Sequence, residues 1–420
     1  MFATTCLPTV LAPLALALMQ DPTPPAPATT AIVLPAAPSD PPPTGDSGAV
    51  QDPTKNEVAL PALAGWNATL VLDQGPVGIW TVVPMKAFAQ YACPEIAALD
   101  DLGRLHLMWS YSGKWTPVTT VNDGKWLGGF VHDDLDPRLD GPEIYTGSQN
   151  GNLWEVTIHR PVFCSSRLIA QIPGREIHTL VGGDLDPRTP GKELLAFTNP
   201  GGLYLLQPKQ SPEGFEVTPL GDLPGRIRDA VLLPAEPGKP REIATVGRHG
   251  RFEILTLDGG VPEWRTVHAV PMGMGRLSVR EDSTPDAIVA YTVADEGRVW
   301  RHERDASRHW HTELIYVGDQ GMRGCAAGRF DADPTVETVA VYGYFKRVEL
   351  LSKRDDGWHV ETLFVDRDKG HWIARGEFDG RNGTDELVAT GYSGRIVLLS
   401  RPPGYGLPGV LTAEREQAGK

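Results

Sequence analysis

Three regularities of this chain predict an all-β fold, a seven-bladed β-propeller with four antiparallel strands per blade. First, an acid returns seven times, at Glu95, Glu143, Glu193, Glu242, Asp286, Glu337 and Glu386, with successive spacings of 48, 50, 49, 44, 51 and 49 residues. Each acid opens an apolar run of β type: EIAAL, EIYTG, ELLAF, EIATV, DAIVA, ETVAV and ELVAT. Self-similarity at such a period is the mark of stacked or circular repeats. Second, a period divides into four alternating runs separated by Gly, Pro, Asn or Asp, the signal of successive hairpins. Third, the last run often begins with an aromatic residue: WTPVTTV at 115, FEVTPL at 215, WRTVHAV at 264, WHTELIYV at 310 and WHVETLFV at 358. A large ring at a fixed place in each sheet predicts packing between blades.

The elements follow in chain order. Residues 7–19, LPTVLAPLALALM, are apolar but too short to span a bilayer. They include an A-x-A at Ala15 and Ala17, so residues 1–20 read as a secretory signal peptide, although no Lys or Arg precedes Lys55. An extracytoplasmic location, periplasmic or secreted, is therefore expected. Cys6 lacks a lipobox, which argues against a lipid anchor. Residues 21–60 are dense in Pro, Ala, Thr and Asp and read as a disordered linker. The propeller is expected over 66–401 and a flexible tail over 402–420.

Closure is legible from the two ends. The last repeat runs HWIARGEFD, ELVATGY and RIVLLS, then stops at Arg401-Pro402 without a fourth strand. The orphan segment WNATLVLDQG at 66–75 has the missing strand's pattern, so the N-terminal strand is expected to complete the last blade. Closing the ring removes exposed sheet edges.

Composition bounds the function. Net charge is −14, a poor match to nucleic acid or an anionic membrane. No segment reads as a transmembrane span, and a monomer is expected. Beyond the leader the cysteines are Cys93, Cys164 and Cys325, an odd and sparse set that reads as small buried hydrophobes rather than a disulfide framework.

The turn between first and second strands reads DDLDPRLDGPE (133–143), GDLDPRTPGKE (183–193), GRFDADPTVE (328–337) and GEFDGRNGTDE (376–386). These resemble degenerate FG-GAP/VCBS repeats, the seven-bladed propeller family that includes integrin α-chain heads. The resemblance covers about residues 66–401 and implies calcium held by a D-x-D-x-D-G-x-x-D loop. Asp134 with Asp136, and Asp184 with Asp186, fit the first two positions. The third is Arg138, Arg188 and, in the last blade, Arg381, and a cation cannot ligate calcium. An arginine fork between two carboxylates is expected in place of the ion. Asp331, Asp333 and Glu337 form the one arginine-free acidic loop. No cofactor is expected.

In a propeller the loops into strand one and from strand two to strand three share the face where the channel opens. Both sets are basic here. The first gives Lys125, Arg175, Arg226, Arg228, Arg276, Arg323 and His371; the second gives Arg104, His249, Arg251, Arg298, Arg347 and Arg395. Aligned on the acidic turn, His178, Arg323 and His371 share one position, as does Arg228 after a gap. The candidate ligand site is therefore His178, Arg228, Arg276, Arg323 and His371, recognising an anionic carbohydrate or a protein. Against it stands the reading that each cation pairs with a neighbouring acid. No G-x-S-x-G, H-E-x-x-H, C-x-x-C or G-x-G-x-x-G occurs in a suitable setting. The alternative enzyme is a polysaccharide lyase or sugar dehydratase, with His178 or His371 as base and Arg323 neutralising a carboxylate. The histidines of RHERDASRHWH (301–311) are expected in a solvated loop on the opposite face.

Overall fold

The computed structural model describes residues 58–87, 95–111, 113–186, 188, 190–209, 214–378 and 380–407. The expected signal peptide, the linker up to residue 57, Cys93 and the tail beyond 407 lie outside these residues.

Seven antiparallel sheets are each wound outward from the channel. Blade 1 is Ile79–Met85, Glu95–Asp100, Arg104–Tyr111 and Lys114–Asn122. Blades 2 to 6 begin on the inner strands Leu127–Asp133, Glu176–Gly183, Ile227–Leu232, Met274–Val279 and Met322–Gly328. Blade 7 begins on Gly370–Gly376, continues through Glu386–Gly391 and Arg395–Ser400, and takes its fourth strand from Asn67–Asp73. Asn67 lies opposite Ser400 and Asp73 opposite Arg395, so the two ends of the fold meet in one sheet.

Both expected boundaries shift at this seam. Val58–Leu60, placed in the linker by its composition, is a fifth strand of blade 7, with Val58 opposite Leu70 and Leu60 opposite Ala68. It covers an edge whose N–H and C=O groups would otherwise be open. Residues 402–407, placed in the flexible tail, dock on the turn of blade 7: Gly404 N donates to Arg381 O at 2.8 Å and Gly383 N to Tyr405 O at 2.7 Å. The Arg401 guanidinium lies between the rings of Trp66 and Tyr405, 4.5 and 4.7 Å from their centres. Composition missed both segments because short pieces are held by the sheet they join, not by their own burial.

The periodic acid is a structural device. In four blades its carboxylate accepts an N–H from the turn eight residues earlier: Ala87 to Glu95 (2.9 Å), Leu135 to Glu143 (3.2 Å), Leu185 to Glu193 (3.1 Å) and Phe378 to Glu386 (2.7 Å). In blade 6 the neighbouring hydroxyl of Thr338 does this for Phe330 N at 3.2 Å, and Glu337 turns to Arg301 instead. Burial pushes the carboxyls of Glu95, Glu143 and Glu193 up, Glu193 to about 7.

In four blades the aromatic of the outer strand packs on a ring of the preceding blade, as expected. Trp115 meets Phe378, Phe215 meets Tyr145, Trp310 meets Phe252 and Trp358 meets Tyr291, with ring centres 5.5–6.4 Å apart. Trp66, just before the closing strand, meets Phe330 of blade 6 at 6.4 Å. Cys164 lies half-buried on an outer strand and Cys325 buried on an inner one, both as free thiols.

Every inner strand carries a register shift within its first three residues. The residues it skips are Trp80, Gly129, His178, Arg228, Gly275 with Arg276, Arg323 and His371. A bulge leaves its extra residue out of the ladder and re-aims the side chain. Seven bulges at one level of a closed ring aim seven positions at the mouth of the channel.

Candidate functional site

The five candidate residues converge. His178, Arg228, Arg276, Arg323 and His371 all line one cavity of about 640 Å³ at the channel mouth. Each sits at the bulge of a different blade, so one backbone irregularity repeated around the ring delivers all five. Blade 2 has glycine there instead. Gly129 has φ +65°, and a Cβ on it would fall 2.9 Å from Leu180 N, so no side chain fits. Trp126 lines the mouth beside it.

The cations lie on blades 4 to 6 and are short of counter-charge. Arg228 Nη1 donates to Asp295 Oδ1 at 2.8 Å and to Met274 O at 2.9 Å. Arg323 also bonds Asp295, so two arginines share one carboxylate. Arg276, only 7% exposed, lies 4.1 Å from the centre of the Trp372 ring and donates to the Arg228 carbonyl. Among the described residues no carboxylate is within salt-bridge distance of Arg276 or Arg226. Burial pulls the Arg276 guanidinium down to about 10, despite the nearby Asp229. Burial, then Arg228 and Arg248, also lowers Arg226, whose Nε is buried without a hydrogen-bond partner.

The histidines stand on blades 3 and 7. Burial, then the arginines, holds both well below the usual imidazole range: Arg226 and Arg276 act on His178, and Arg276 on His371. His371 Nδ1 lies 2.8 Å from Trp80 O, so Nδ1–H donates and Nε2 is left with a lone pair on a ring that lines the cavity. The ring meets Trp80 edge-on at 4.6 Å, and Trp80 donates its Nε1–H to Asp101. Tyr344 and Tyr392 share a hydroxyl hydrogen bond of 3.0 Å, and Arg323 lies 4.6 Å from the Tyr344 ring centre. The acids of the wall are held by neutral donors. Glu176 accepts from Gln149 Nε2 and Asn199 Nδ2 at 3.1 and 2.6 Å, and Asp229 accepts from Leu277 N at 3.0 Å.

The rest of the basic face behaves differently. Arg104 pairs with Asp100, Arg251 with Glu253, Arg298 with Glu296, Arg347 with Asp319 and Arg395 with Asp73. These hairpin arginines are locally neutralised and do not enter the mouth. The sequence alignment missed the aromatic wall, although Trp80 occupies the same bulge position as His178 and His371. It also missed Asp295, an acid among turns read for their bases.

On the opposite face the acidic turns carry arginine forks. Arg138 closes on Asp136 through Nε at 2.6 Å and Nη2 at 2.5 Å, and Arg167 adds a third contact at 3.0 Å. Arg188 closes on Asp186 and also reaches Asp258 at 2.6 Å. The expected bridge between two carboxylates of one loop does not form, because Asp134 points to solvent while Asp136 is buried. Arg381 is described, but Asp379 beside it lies outside the described residues. Asp331 of the arginine-free loop is met by Arg354 at 2.6 Å and Glu337 by Arg301 at 2.5 Å. Among the described residues no group of three or more Asp, Glu, His or Cys side chains converges. His302 corrects another expectation. It is a buried strand residue between Thr292 (2.9 Å) and Thr312 (3.0 Å), while His309 and His311 are exposed.

The sequence matches no protein-family model and no curated protein. Its fold does have solved counterparts. A crystal structure titled as the WD40 β-propeller domain of Doa1 aligns with TM-score 0.55 over 80% of this chain and 97% of that one, at 8% identity. At that identity the likeness is one of fold alone. The chain is a seven-bladed β-propeller. No helix of the described residues is long and apolar enough to cross a membrane.

Proposed function

We propose that the channel mouth binds a carboxylated or sulfated sugar, and that the chain is an exported, divergent relative of the FG-GAP/VCBS propellers. The second half of this reading is supported by the acidic turns of the sequence and by its apolar leader. The first is carried by one observation: four arginines, with a single carboxylate bridging two of them, face a concave cavity of about 640 Å³ walled by Trp and Tyr rings. That volume suits a small ligand. Guanidinium forks match carboxylate and sulfate geometry, and low-dielectric walls strengthen the field of unpaired cations. The rings of Trp126 and Tyr392 in the cavity wall offer apolar contact to a sugar ring, and Glu176, Asn199 and Asp101 offer hydrogen bonds to its hydroxyls.

Calorimetric titration with galacturonic acid and with neutral galactose tests this. The uronate is expected to bind, galactose to bind at least tenfold more weakly, and the Arg323→Ala/His371→Ala double variant to lose the difference. Equal binding of the two sugars would remove the anion reading.

The state of His371 favours a second reading. A neutral imidazole with its lone pair at Nε2, beside arginines able to neutralise a uronate carboxyl, is the arrangement a lyase or dehydratase needs to take a proton next to that carboxyl. A uronate polymer incubated with the protein would then yield an ultraviolet-absorbing unsaturated product, and His371→Ala would abolish it. No such product means a binding site without chemistry.

A further inference from the structure

The cavity at the mouth is not closed on all sides. A second depression of about 690 Å³ runs outward over blades 3 and 4, lined by Arg175, Pro200, Gly225, Arg226, Arg248 and His249 among others. It shares Asn199 and Arg226 with the mouth, so the two depressions adjoin. The cations continue along it. Arg248 N donates to Arg226 O at 2.9 Å, which fixes the two residues side by side. Among the described residues Arg248, like Arg226 and Arg276, has no carboxylate within salt-bridge distance. Arg175 lies at the outer end, its Nη1 bonded to Pro200 O at 3.0 Å and its Nη2 3.4 Å from the well-exposed Asp222. The path from Arg276 through Arg226 to Arg248 is therefore a row of cations without salt bridges among the described residues, in a body of net charge −14.

We infer that the ligand is a linear polyanionic glycan, one sugar in the mouth and the rest of the chain lying outward between blades 3 and 4. This rests on the reading of the mouth given above and extends it. A row of separated cations rewards a ligand with a charge on each unit, because every added pair acts at the effective concentration set by the first. The outer walls favour sugar over acidic peptide. Pro200, Gly201, Pro224 and Gly225 build much of the groove, and Leu223 is the one aliphatic side chain among its lining residues, so it lacks the apolar pockets in which peptide side chains anchor.

The test is a length series of galacturonate, from monomer to linear tetramer, titrated into the full chain. The tetramer is expected to bind about a hundredfold more tightly than the monomer. Arg248→Glu, at an exposed position, is expected to bring that ratio close to one, with thermal melting confirming that the variant is folded. Monomer binding with no gain on lengthening would overturn the groove and leave the mouth standing. No binding at any length would overturn both. Tighter binding of a tetraglutamate peptide than of the tetramer would show the chain to be polypeptide and overturn the glycan assignment.

Discussion

The two faces of the propeller both display arginine, and they use it in opposite ways. On the face of the acidic turns, Arg138 and Arg188 each close on an aspartate two residues earlier, and Asp136 is shielded completely from solvent by the contact. Charge and counter-charge are matched within one loop, and the guanidinium also satisfies what the turn would otherwise leave open. At the channel mouth, Arg228 and Arg323 share one acid, while Arg276 and Arg226 have none within salt-bridge distance among the described residues. Residue type does not separate a structural arginine from a candidate ligand-binding one; the local ratio of charge to counter-charge does. An uncompensated buried cation costs stability, and a fold keeps such a cost most readily where a ligand removes it.

That contrast can be broken at several points. Asp295→Ala removes the one carboxylate that, among the described residues, is bonded to Arg228 and Arg323, and leaves two largely buried cations near each other. A loss of about 3 kcal/mol in urea unfolding is expected, and no loss would mean that the mouth cations are well solvated. On the turns, Glu143→Ala strips the acceptor from Leu135 N, Asp136 N and Tyr145 Oη. About 2 kcal/mol should be lost, without change in anion binding. A fall in binding would mean the two faces are coupled.

Paired substitutions of smaller effect sharpen the contrast. Arg138→Ala should cost about 1 kcal/mol, since the pair is partly exposed and Arg167 still holds Asp136. Arg276→Met, which keeps contact with Trp372 but removes the charge, should leave stability equal or raise it by about 1 kcal/mol while weakening uronate binding. Opposite signs at the two arginines are the decisive outcome. Matching losses would return Arg276 to the structural class. The least effect is a slope. Burial raises Glu193 to about 7 in the folded state from 4.5. The folded chain therefore holds a proton that the unfolded chain has released between those values, and stability falls as pH rises through that window. Glu193→Gln keeps the size and the acceptor for Leu185 N and should flatten the slope.

Much of the architecture was legible because propellers repeat it. The acid at the head of strand two, the aromatic at the head of strand four and the unmatched segment at 66–75 each recur or complete a recurrence. Four of the five candidate residues were legible for the same reason: His178, Arg323 and His371 fall at one distance from the acidic turn and Arg228 joins them after a gap, whereas Arg276 was found only as one of the basic residues leading into strand one. The aromatic wall was not, although Trp80 could have been found by asking what stands in blade 1 where His371 stands in blade 7. Asp295 could not be assigned from its turn, since its partners come from the inner strands of blades 4 and 6. His302 was misplaced because a polar run reads as loop, whereas Thr292 and Thr312 on the flanking strands satisfy both ring nitrogens.

By itself the sequence determined the number of blades, their strand order and the seam where the ends meet, because these follow from periodicity and hydrogen-bond closure, both local along the chain. Only the tertiary structure decided which arginines are neutralised and which are not. That depends on bulges that turn side chains out of the ladder and on acids arriving from other blades, contacts between residues 28 to 67 positions apart in the case of Asp295. Spacing along a chain carries no record of such meetings; the closed ring creates them.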